Sequence, residues 1–104
     1  MMNTKERAWT AAKSDFHAIQ DAVAKEWNTF KTDFANYDKV YETVVHTVAY
    51  QAVTGSIGSH VLADYESLPV DVFGMGPIEE YNRGLFDIVS EALDYHLESI
   101  GVEF

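Results

Sequence analysis

NTKERAWTAAKSDFHAIQDAVAKEWNTFKTDFANY, residues 3–37, places an apolar residue at every seventh position: Trp9, Phe16, Val23, Phe30 and Tyr37. Ala12 and Ile19 fill the intervening turn, and Trp27 and Phe34 take over further along. An α-helix turns once in about 3.6 residues, so these side chains gather on one side of a rod and predict one long helix with a continuous buried stripe. Asn3 followed by Glu6 reads as a capping box at its start, where side chains satisfy backbone N–H groups that the first turn leaves unpaired. The stripe is not a coiled-coil seam, because Glu26 and Asp33 stand where the row of Ala12 and Ile19 would continue.

Further along the chain, Asn36 and Asp38 supply a stop and a fresh N-cap. Tyr41, Val44, Val45, Val48, Ala49, Ala52 and Val53 then follow the i, i+3, i+4, i+7 pattern. The Val and Thr content leans towards a strand, but the run is long for one and its period is not two. A second helix is therefore expected, closed by Gly55. Ser59 caps a short helix through Ser67, after which Leu68-Pro69 calls for extended backbone and Gly74-Met75-Gly76 for a break. Pro77 suits the first position of a last helix, with Glu79 and Glu80 in the turn where the helix dipole favours negative charge and Gly101 at the far end. Ile78, Tyr81, Leu85, Val89, Ala92 or Leu93, His96 and Ile100 are expected to face inward. Gly84 is the expected breaking point, since an interior glycine costs about 1 kcal/mol relative to alanine. The fold class is all-α, three main helices plus a short fourth in a small antiparallel helical bundle, with residues 1–104 as a single helical domain.

Hydrophobic residues are 47% of the chain, enough apolar surface to oppose the entropy lost on ordering. The absence of cysteine excludes disulfides and thiolate metal sites and suits a reducing cytoplasmic location. The N-terminus passes into Lys5, Glu6 and Arg7 with no apolar run before them, so no secretory signal is expected. The most apolar window, 40–57, contains Glu42, His46 and Gln51 and is too polar to span a bilayer. Net charge is −10, and it is unevenly placed. Residues 1–39 are balanced, whereas from Val40 onward eleven carboxylates face a single cation, Arg83. Direct contact with nucleic acid or an anionic membrane is disfavoured, because phosphates are bound by Lys and Arg clusters that this chain lacks.

The feature that bears most on function lies on the last helix, where Glu80, Asp87, Glu91, Asp94 and Glu98 fall within an arc of roughly 60° over about 27 Å. Asp87 with Glu91, and Asp94 with Glu98, are like-charge i, i+4 pairs that each cost about 0.2–0.5 kcal/mol, and the last two residues also meet the negative end of the helix dipole. A helix chosen only for stability carries lysine at such places. One reading is that an amphipathic helix needs a polar face and that aspartate and glutamate there keep a small protein soluble. A regularly spaced anionic ridge also resembles a nucleic-acid backbone, and opposite fields speed association with a basic groove. In charge and size the chain is similar to the small acidic phage and plasmid proteins that block restriction or CRISPR machinery by mimicking DNA. That resemblance implies a non-enzymatic inhibitor that docks on a basic protein surface. It carries no residue across, because it rests on no motif.

Enzymatic and metal-binding readings find less to stand on. His17/Asp21, Glu42/His46 and His60/Asp64 are i, i+4 pairs, a spacing that suits metal ligands or a base with its orienter but is commoner in surface pairs. No His-Glu-x-x-His, nucleophile-elbow, dinucleotide or P-loop pattern is present, so no catalytic residue, metal or cofactor is expected. His96, predicted to face inward, is the one histidine that stands apart. The aromatic stripe offers a different function: whatever part of it a small domain leaves uncovered serves as a dimer or scaffold contact. The two expectations are thus an acidic protein whose Glu80, Asp87, Glu91, Asp94 and Glu98 engage a basic partner, and a helical oligomerisation module, including a homodimer.

Overall fold

The computed structural model describes residues 3–68 and 76–101. Within them run α1 (Thr4–Ser14), α2 (Phe16–Phe30), α3 (Tyr37–Val53), α4 (His60–Glu66) and α5 (Gly76–Ile100), and no strand. Asn3 starts α1 as its sequence suggests, its side-chain oxygen accepting the Glu6 N–H at 2.8 Å. The Glu6 carboxylate meets the Asn3 side-chain amide at 3.4 Å. Asn36 does the same for α3, accepting from the Lys39 N–H at 3.2 Å. Gly55 and Gly101 follow α3 and α5 at positive φ, 79° and 64°, the left-handed turn in which a helix closes its last carbonyls.

The single long first helix does not exist. It divides at Asp15, whose φ of −104° and ψ of 17° lie outside the helical well, and so the described chain has five helices where four were expected. The reason lies in the row Ala8, Asp15, Ala22, seven residues apart on the inward side. A straight helix would push a carboxylate into the core. Instead the chain bends, and Asp15, 7% exposed, delivers its charge to two donors on the α4 side. The stripe also stops early: α2 ends at Phe30, Phe34 packs from the following turn, and Tyr37 belongs to α3.

A second correction concerns Gly84, through which α5 runs unbroken for 25 residues. Gly84 is buried against α1, where a β-carbon would stand 2.8 Å from the Ala8 β-carbon and 2.8 Å from the Lys5 carbonyl oxygen. The glycine is there because two helix backbones come too close for anything larger, with Ala8, Ala11 and Ala12 giving α1 a matching flat face. That packing offsets the propensity cost.

The core gathers Trp27, Ile19 and Val23 of α2, the valines of α3, Val61 of α4, and Tyr81, Leu85, Val89 and Leu93 of α5. Burying each large side chain contributes about 1.5–3 kcal/mol. Of the α5 residues expected inside, Ile78 and His96 are half-buried, while Ile100 is 49% exposed in the last turn, beyond Leu97, the final buried member of the stripe. Along α3 and α5, Tyr41 meets Ser90 and Asp94, and His46, a turn later on α3, meets Phe86, a turn earlier on α5. Gln51 of α3 donates to Glu26 of α2 at 3.3 Å. Among the described residues no helix is long and apolar enough to cross a membrane. Of the expected Gly74-Met75-Gly76 break, Gly76 is the first residue of α5, while Gly74 and Met75, like Pro69 of the expected extended Leu68-Pro69 step, lie outside the described residues.

Candidate functional site

The five acidic residues singled out on α5 are all exposed: Glu80, Asp87, Glu91, Asp94 and Glu98. The helix sets their spacing, and the buried face formed by Tyr81, Leu85, Ile88, Ala92 and Leu93 fixes which way they point. They are not equally free. Lys5 of α1 reaches Asp87 at 3.3 Å, and its ammonium also lies 5.6 Å from the centre of the Trp9 ring. Both groups of that ion pair are about half exposed, so it contributes little to stability but does offset one charge of the row. Asp94 accepts a 2.7 Å hydrogen bond from the Tyr41 hydroxyl, which also lies 3.3 Å from the Ser90 carbonyl oxygen. Burial of the ring, together with that bond to a negative acceptor, pushes the Tyr41 pKa up to about 12. Tyr37 is raised as well, by burial and then by the charges of Asp94 and Asp38. Glu80, Glu91 and Glu98 have no ion pair or hydrogen bond among the described residues.

A second group of polar side chains ties α1 to α4, and sequence reasoning missed it. Asp15 Oδ2 accepts the Val61 N–H at 3.0 Å, and Asp15 Oδ1 lies 2.7 Å from His60 Nδ1. The carboxylate thereby caps α4 from the α1–α2 junction, in place of Ser59, which makes no side-chain capping bond among the described residues. Gly58, at φ 106°, leaves room for it: a β-carbon there would fall 2.6 Å from the Asp15 carboxyl carbon. Beside it, Arg7 donates to Asp64 at 2.8 Å and to Ser67 at 2.7 Å. Tyr81, fully buried, has its hydroxyl pKa raised by desolvation first and then by Asp64. One signal for this arrangement was present in the sequence, an aspartate on the Ala8–Ala22 row, where apolar residues belong.

None of the i, i+4 pairs His17/Asp21, Glu42/His46 and His60/Asp64 makes an ion pair within itself. His60 turns to Asp15 and Asp64 turns to Arg7, while the His46 ring lies 4.9 Å from that of Phe86 at a tilt of 46° and His17 is exposed. His60 with a buried carboxylate behind it has the outline of a base and its orienter, and a cleft of about 200 Å³ in front of it includes Thr10 and Ser14. Their hydroxyls, however, donate to the Glu6 and Thr10 carbonyl oxygens of their own helix, so neither is aligned as a nucleophile. Among the described residues no three His, Asp or Glu side chains are grouped as a metal site. His96 Nε2 is buried with no hydrogen-bond partner among the described residues.

No protein-family model, curated protein or solved structure matches this chain. Among the described residues the surface offers one extended feature, an exposed row of carboxylates on α5 in which the Tyr41 hydroxyl holds Asp94 in place.

Proposed function

We propose that this chain is a non-enzymatic binding or inhibitor protein whose acidic face docks on a basic surface of a partner protein, one that ordinarily holds nucleic acid. The reading places a small bundle with its long helices antiparallel in the cytoplasm, and it needs no cofactor. The single observation that carries it is the exposure of all five α5 carboxylates along one side of the helix, where Lys5 is the one cation in an ion pair with them among the described residues. Unlike a loop, a helix of 25 residues holds charges at fixed spacing, so docking them costs little ordering entropy. Neutralising several carboxylates at once with a basic groove makes the complex sensitive to salt.

The scaffolding alternative draws less support, because the aromatic stripe it depends on is largely spent on the core. Trp27 is buried, and Trp9, Phe16, Phe30 and Phe34 pack half-buried against the same cluster.

The test is capture of the partner by immobilised protein, comparing wild type with a triple variant, Glu80→Gln, Glu91→Gln and Glu98→Gln. Capture that is lost in the variant, released by salt and competed by duplex DNA is the expected outcome, with helical circular dichroism unchanged. Equal capture by the variant removes the reading.

A further inference from the structure

A cleft of about 280 Å³ between α3, α4 and α5 is walled by four aromatic rings, His46, Tyr50, Tyr65 and Phe86, with Val53 and Asn82 beside them. None of the five ridge carboxylates lines it. His46 and Phe86 make one wall, their rings 4.9 Å apart, and Tyr65 is braced edge-on by the buried Tyr81 at 5.7 Å. Tyr50, 69% exposed, has no hydrogen bond or ring contact for its side chain among the described residues. A large aromatic side chain left in water at the mouth of an aromatic cleft is a binding feature more than a packing one.

The charge around this cleft selects its occupant. Glu79 precedes Asn82 and Phe86 by one and two turns on the same face of α5, Glu42 precedes His46 by one turn on α3, and Glu66 follows Tyr65 on α4; all three are exposed. Two exposed cations oppose them, Arg83 beside Asn82 on α5 and Lys39, which lies with Glu42 and His46 along one side of α3. Aromatic faces carry negative potential, and a surplus of carboxylates adds to it, so the site disfavours anions and attracts a cation with an apolar stem.

We infer that this cleft takes an arginine or lysine side chain of the partner, anchoring a basic protein that the α5 carboxylates attract. The inference rests on the docking reading above for its partner, but the cleft's preference for a cation is measurable without that partner. Arginine is the better fit, since its planar guanidinium stacks on aromatic rings and sheds water more readily than an ammonium.

The experiment is an NMR titration of the intact protein with N-acetyl-arginine amide and, separately, with N-acetyl-citrulline amide, which has nearly the same shape and no charge. Arginine is expected to shift the signals of Tyr50, Tyr65, Phe86 and Asn82 and to saturate with a dissociation constant on the order of 1–10 mM. Citrulline is expected to bind about fivefold more weakly or worse. Tyr50→Ala, at an exposed position that leaves the fold intact, should weaken arginine about fivefold, and Glu79→Gln should weaken it less. Equal binding of the two amides, or no shift at all with arginine, overturns the inference. The triple ridge variant separates the two proposals. If it still captures the partner while the wild-type cleft prefers arginine, the docking reading falls and the cleft stands. If it loses capture while the cleft shows no preference, the cleft falls and the docking reading stands.

Discussion

Asp15 brings a carboxylate to a place where only 7% of the residue is exposed, and it is tolerated there because both oxygens are occupied, one by the Val61 N–H and the other by His60. Removing the side chain does more than delete two bonds. It leaves the Val61 N–H buried at the start of α4 without an acceptor, and an orphaned buried donor costs about 1–3 kcal/mol. Asp15→Ala is therefore expected to destabilise the protein by about that amount in urea unfolding. Asp15→Asn, which keeps one acceptor oxygen for Val61, should lose less. A loss for Asp15→Ala within about 0.5 kcal/mol, the range of an ordinary surface change, would show that the carboxylate holds nothing together.

Helices α1 and α5 illustrate how an element's local preference yields to its neighbour. Taken alone, Gly84 weakens α5, and an alanine there would strengthen it by about 1 kcal/mol. Against α1, the added methyl group meets the Ala8 β-carbon and the Lys5 carbonyl oxygen at 2.8 Å, and neither is the free end of a flexible chain. Forcing the helices apart costs about 1–3 kcal/mol, which outweighs the propensity gain. Gly84→Ala is thus expected to lower the thermal midpoint. A rise would mean that the backbones are not in close contact. The same pairing brings Lys5 within reach of Asp87, so the close approach also decides which ridge carboxylate is partly neutralised.

For the whole molecule, stability should fall at high pH, and the tyrosines set the window. Tyr37, Tyr41 and Tyr81 all have pKa values raised above 10.0, chiefly by burial, with Tyr41 reaching about 12. The folded state favours their neutral form, so their stabilising contribution is complete below about pH 10 and is lost as pH climbs through the folded values. Unfolding free energy is expected to decline between about pH 10 and 12. A difference titration of tyrosinate absorbance between wild type and Tyr41→Phe should recover a component near pH 12. If that component titrates near the ordinary tyrosine value of 10.0, the bond to Asp94 and the burial of the ring are not as described.

Local relations settled much of this protein in advance. Caps at Asn3 and Asn36, glycine closures at Gly55 and Gly101, the helical period of α3 and α5, and the outward line of Glu80, Asp87, Glu91, Asp94 and Glu98 each depend on residues within one or two turns of one another, and periodicity reads those distances directly. The break at Asp15, the continuity through Gly84, the Tyr41–Asp94 bond and the aromatic cleft depend on partners far away in the chain. Asp15 finds Val61 across 46 residues and Tyr41 finds Asp94 across 53. No local pattern encodes which helix will lie opposite a given side chain, so a buried aspartate or glycine looks like a flaw in its own helix until the neighbour that satisfies it is in place.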